Sequence, residues 1–175
     1  MSNVMDTREK IAAGLEEAFA RHGFTELGVD ALRDATKVSL RTLYKHCPSR
    51  EEMILAALQR RHERYLGHLF DGLPEAPSPA LEAVFDRVGD WMATNAPRGC
   101  MFHSAVAAHP HNVAIRTMLE RHKTEVVDRI ARAAQLTSRR DDLTLLHEGL
   151  TQSWPLMGEP AVRRAKALAR MLLQR

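Results

Sequence analysis

The chemistry-bearing residues of this chain crowd into one short segment, residues 38–53, VSLRTLYKHCPSREEM. Arg41 and Lys45 are four apart, so on a helix their cationic heads share one face. A guanidinium so placed matches the O6/N7 edge of a guanine with two hydrogen bonds. Lys37 and Lys45 would instead neutralise phosphate charge, which adds affinity without reading sequence. Residues 33–47 carry Arg33, Lys37, Arg41 and Lys45 against Asp34 alone, the most lopsided stretch of the N-terminal half. The competing reading is a solvated basic face on a helical bundle, with no partner.

A second set of groups invites metal or thiol chemistry. Cys100, His103, His109, His111, His122 and His147 fall in the C-terminal part. A zinc site needs three or four convergent ligands, often two of them closely spaced. Here His109 and His111 merely bracket Pro110, and no HExxH-type pair occurs. No metal site, no cofactor and no enzyme activity are expected, since no nucleophile–base pattern appears. A metal-dependent helical enzyme is the rival reading from another class. Gly99-Cys100 at a helix start would favour a thiolate sensor, against the plainer reading of an inert cysteine.

The elements that must position these residues are helical. Across 175 residues, 45% are hydrophobic, 27% charged and 5% aromatic, with a formal net charge of +3. Ala, Leu, Arg and Glu dominate and favour helix, and no alternating β-branched run points to a strand. Residues 1–70 are nearly charge-balanced, so a nucleic-acid footprint must be local. Two distant cysteines make no disulfide framework and fit a reducing cytoplasm. The opening MSNVMDTREK has no apolar signal core, and no window reaches membrane-spanning length. A cytoplasmic protein with no membrane partner is expected.

Apolar periodicity predicts about nine helices. The first spans 7–22, with Ile11, Leu15 and Phe19 inward and Gly23 as its stop. Short helices follow over 29–35 and 40–46, joined by a tight turn at Thr36–Val38, with Gly28 and Ser39 as N-caps. Ser49 and Glu52 form a capping box that opens a long helix to about residue 69, in which Arg61 contributes only its stem. Ser78 and Pro79 are expected to cap and start a helix ending near Asn95. Further helices are predicted over 101–108, 112–135, 140–156 and 160–174, with Pro155 bending or ending the penultimate one.

Two short helices around a tight turn are a weak signal alone. The string Val38, Ser39, Thr42, Leu43, Tyr44, His46, Ser49 and Glu51, with Ala12, Phe19, Gly23, Phe24 and Val29 upstream, resembles the TetR family of bacterial regulators. The likeness is close over about residues 7–60. It is looser beyond, where residues 98–105, RGCMFHSA, and the last two helices look like family features. This chain departs from the family pattern at Gly28, Arg33, Lys37, Arg41 and Cys47. Lys37 replaces the turn glycine and is expected to need a positive φ, uncommon for lysine.

The resemblance implies an all-α fold with an N-terminal helix-turn-helix domain, 1–48, and a C-terminal ligand-binding and dimerisation domain, 49–175. It implies a homodimeric repressor that double-stranded operator DNA binds through Lys37, Ser39, Arg41, Thr42, Tyr44, Lys45, His46 and Arg50. Thr42, Tyr44 and Arg50 stand where relatives touch phosphate. Release would follow entry of a small, partly apolar effector among Trp91, Met92, Met101, Phe102, Met118 and Trp154, residues suited to an adaptable apolar pocket. Leu143, Leu146, Leu150, Leu168 and Leu172 would form the dimer interface, half of a four-helix bundle. The alternative is a DNA-binding regulator without small-molecule control, or one controlled through Cys100.

Overall fold

A computed structural model describes residues 6–174. Residues 1–5, read above for a leader, lie outside the described residues, as does residue 175. Among the described residues the elements are all helical: α1 Thr7–His22, α2 Val29–Thr36, α3 Leu40–His46, α4 Arg50–Phe70, α5 Pro77–Asn95, α6 Met101–Ala108, α7 Val113–Ala133, a 3-10 turn Thr137–Arg139, α8 Arg140–Met157 and α9 Glu159–Leu173. None of these helices is long and apolar enough to cross a membrane.

The punctuation mostly falls where the residue types put it. Gly23, at φ 78°, ends α1. The Ser49 hydroxyl accepts from the Glu52 amide at 3.1 Å at the start of α4. Two differences stand out. Helix α5 begins at Pro77 with Ala76 as a cap that offers no side-chain bond, so Ser78 and Pro79 lie inside its first turn. Pro77 has the preset φ that a first helical position wants, so the helix starts there. Helix α8 runs through Pro155 to Met157 and stops at Gly158, φ 59°. The missing amide falls in the last turn, where little helix remains to be disrupted.

The chain gathers into two compact units. The first holds the residues up to Glu63 together with Met101–Leu119, the second Arg64–Cys100 and the residues from Glu120 onward. These compact units do not divide at 48/49. Helix α4 is unbroken, and its first part belongs with the N-terminal helices. So does the start of α7, where the Asn112 carboxamide caps the Ile115 amide at 2.9 Å and hydrogen-bonds Glu51.

In the first unit, Ile11, Leu15, Phe19, Phe24, Leu32, Leu43, Met53 and Ile54 are buried. Phe19 and Phe24 stack with centroids 4.9 Å apart. Glu16 is buried as well. Its carboxylate accepts from Arg60 at 2.5 Å and Arg61 at 3.3 Å. The Arg61 head is therefore inside along with its stem, contrary to the sequence expectation, because Glu16 supplies the counter-charge that burial demands.

The second unit has its own apolar core, including Leu69, Val84, Phe85, Val88, Trp91, Val127, Ile130, Leu143, Leu150 and Trp154. At its surface α9 is clamped to α5. Arg170 meets Glu82 with two bonds of 2.5 and 2.8 Å, and Lys166 meets Asp86 at 2.6 Å. The bond from Arg170 holds the Glu82 carboxyl below the ordinary range, although partial burial pushes the other way.

Helices α1 and α2 touch at Gly14. A Cβ there would lie 2.5 Å from the Ala35 carbonyl oxygen and 2.7 Å from the Thr36 Cα, both backbone atoms. Gly14→Ala therefore sets two effects against each other. Helix propensity alone favours alanine by about 1 kcal/mol, whereas overpacking of this kind costs about 1–3 kcal/mol. Net destabilisation in a urea melt is expected; a stabilised variant would show that the contact yields.

Candidate nucleic-acid interface

The turn between α2 and α3 is closed by Lys37. Its φ of 54° and ψ of 37° are left-handed, as the missing turn glycine requires. Its amide donates back to Arg33 at 3.0 Å and Asp34 at 3.2 Å, and Lys10 Nζ donates to its carbonyl at 3.3 Å. A lysine held there costs about 1–2 kcal/mol of local strain, so the turn survives because these bonds determine it. Ser39 then caps α3, accepting from the Thr42 amide at 3.1 Å, and the two hydroxyls bond at 2.8 Å.

Helix α3 has one inward residue at its centre, Leu43, which is fully buried. Arg41, Tyr44 and Lys45 are exposed, as are Lys37 and Ser39; Thr42 and His46 are half-buried. The helix thus presents two cations and a phenol on a side that no other element of its unit covers.

Two basic residues do not join this face. Arg50 was expected to touch phosphate. Its guanidinium instead donates to the carbonyls of Leu27 and Phe24, both at 2.6 Å, and lies 5.8 Å over the Phe19 ring. The first turn of α4 faces the unsatisfied carbonyls of the segment between α1 and α2, and a guanidinium is the group that can bridge two of them. Arg33 pairs with Asp34 at 2.8 Å and Asp30 at 3.0 Å, so its charge is answered within α2. Cys47 is buried, and burial pushes its thiol pKa up, which makes it a poor thiolate.

The expected effector residues are all buried, but they divide. Trp91, Met92 and Trp154 belong to the core of the second unit, whereas Met101, Phe102 and Met118 belong to the first. Sequence reasoning missed a polar pair in the second core: the Tyr65 hydroxyl and His147 Nε2 lie 2.8 Å apart, and Tyr65 packs edge-on to Trp91 at 5.1 Å. Neighbouring Lys123 and Glu148 pair at 2.7 Å. Cys100 is half-buried. Among the described residues no three His, Cys, Asp or Glu side chains cluster as metal ligands would. On the first unit a surface groove of 280 Å³ is lined by Glu17, Arg21, Leu27, Asp34 and Lys37 among others; it involves none of the expected effector residues.

The leucines expected at a dimer interface also divide. Leu143 and Leu150 are buried in their own unit, and Leu146 and Leu172 pack partly against that core. Only Leu168 of the five is well exposed, at 52%. The outward apolar residues of α8 and α9 are Leu145, Leu156, Met157, Leu168 and Met171. The helical repeat does not by itself say which of two apolar stripes on such a helix faces in.

Three helices with a capped, outward-facing third helix define a helix-turn-helix domain. Residues 11–57 match the family model described as bacterial regulatory proteins, tetR family. No curated protein matches the chain. Among solved structures it is similar to SCO4454, a TetR-family transcriptional regulator from Streptomyces coelicolor. Identity is 20% and the TM-score 0.83, with 96% of this chain and 94% of that one covered. It is also similar to a TetR-family regulator structure from Rhodococcus sp., at 21% identity and TM-score 0.79 over 95% and 98% of the two chains. Salmonella enterica GusR aligns at 18% identity and TM-score 0.71 over 100% and 99%. The chain therefore has the helix-turn-helix domain and the fold of a TetR-family transcriptional regulator.

The inward Arg50 makes a separable prediction. Arg50→Ala should destabilise the protein by about 1.5–3 kcal/mol, the range for hydrogen bonds to a charged group, measured by urea melt. Unchanged stability with a large loss of DNA affinity would return Arg50 to the phosphate role.

Proposed function

We propose that the chain is a homodimeric, cytoplasmic transcriptional repressor, without enzyme activity, that grips a palindromic operator through α3 of each copy. A small, partly apolar ligand entering the second unit releases it. The observation that carries this reading is the one-sidedness of α3: Leu43 beneath, and Arg41, Tyr44 and Lys45 outside with Lys37 at the turn. Two such helices, about 34–36 Å apart, would enter successive major grooves. Arg41 reads a guanine edge, while Tyr44, Thr42 and the lysines hold phosphate.

For the second copy, the outward apolar residues of α8 and α9 are the supporting feature. Five large exposed apolar side chains on two adjacent helices exceed the scattered single residues that a monomer ordinarily shows. For the ligand, the support is the Tyr65–His147 pair, with Tyr65 against Trp91, in a core that also holds Met92 and Trp154. Apolar walls with a few placed polar groups are what small-molecule sites use. Ligand control is then a population shift. The ligand binds better to an arrangement in which the two α3 helices no longer match successive grooves.

Two experiments test the reading. Duplexes selected by the full chain from a random library, followed by anisotropy titrations over a salt series, test DNA binding. Lys45→Ala should weaken every duplex and reduce the salt slope by about one. Arg41→Ala should relax preference at one base pair per half-site by about 1–3 kcal/mol. Uniform loss across sequences would remove the reading role from Arg41, and failure to retain any duplex would sink the DNA assignment. Sedimentation tests the dimer. Leu168→Glu combined with Met171→Glu should give a folded monomer. Leu143→Ala should leave association intact but lower stability by about 2–5 kcal/mol. A dimer that survives the double glutamate variant would place the interface elsewhere.

A further inference from the structure

The outer face of α3 carries one residue that the charge argument does not use. Leu40 opens the helix and is 37% exposed. The Ser39 cap fixes the first turn, and Leu43, three residues on, takes the fully buried position. Tyr44, one turn on from Leu40, is 43% exposed, and positions four apart lie on the same face. An aliphatic side chain therefore keeps over a third of its surface open beside Tyr44, at the edge of the face proposed above to meet the duplex.

We propose that Leu40 is a specificity-determining residue that reads the 5-methyl group of a thymine in each operator half-site. This rests on the DNA-binding reading above. A branched aliphatic group offers no hydrogen bond, so donor and acceptor edges of bases give it nothing and lose water against it. The apolar feature that base pairs present in the major groove is the thymine C5-methyl. The cations around Leu40 supply the complementary charge that holds the backbone near. Leu40 and Arg41 are adjacent, so the thymine lies within a base pair or two of the guanine that Arg41 contacts.

The test uses the full chain and the duplex it selects from a random library. Each thymine is replaced in turn by deoxyuridine, which removes the methyl and leaves every hydrogen-bonding group in place. For the native chain, one replacement per half-site should weaken binding about four-fold, the value of burying one methyl-sized group. The other replacements should be nearly neutral. For Leu40→Ala, expected to fold because the residue is exposed, the same replacement should change affinity by less than two-fold, which is about the resolution of such a titration. A native chain insensitive to every replacement overturns the proposal. So does a Leu40→Ala chain that keeps the full four-fold sensitivity, since another side chain then reads the methyl. A chain that selects no duplex overturns the DNA-binding reading itself, an outcome distinct from both.

Discussion

A helix of seven residues does not hold itself together in water, because its nucleus is costly and few bonds follow. Helix α3 depends on what lies at its ends and beneath it. Leu43 anchors it, Ser39 caps it, and the left-handed Lys37 sets the direction from which it starts. Beneath these, α1 and α2 approach closely enough that only a glycine fits at position 14. Together these features leave Arg41, Tyr44 and Lys45 of α3 exposed, so a structural constraint produces the face on which the proposed DNA reading rests.

Charge is distributed by the same logic. The basic residues near the turn look alike in the sequence but serve different ends. Arg33 is answered by Asp30 and Asp34, and Arg50 ties down two carbonyls. Arg60 and Arg61 neutralise the buried Glu16. What remains on the outer side is Lys37, Arg41 and Lys45. A near-neutral N-terminal part thus carries a small cationic face, so any attraction to a polyanion is local to that face.

The second unit follows another rule. Its core is aliphatic with two tryptophans, and into it are set the Tyr65 hydroxyl and the His147 ring, bonded to each other. Buried polar groups persist when they are satisfied, and such a pair specifies the packing around it. At the surface, the Glu82–Arg170 and Asp86–Lys166 bonds hold α9 on α5. That leaves Leu168 and Met171 facing away from the core.

The sequence by itself determined the helices and their order, because apolar periodicity, caps and breakers act over a few residues. Gly23, Ser39 and Ser49 fall where their chemistry puts them, and the Thr-Leu-Tyr string lies on α3, the third helix of the helix-turn-helix unit. Tertiary structure alone decided which of several like residues faces which neighbour. The Arg50 guanidinium meets two carbonyls, Leu143 and Leu150 lie in the core while Leu145 and Met171 lie outside, and α4 runs from one compact unit into the other. A side chain's partner depends on residues distant along the chain, such as Glu16 for Arg61 or Tyr65 for His147, and local spacing carries no information about them.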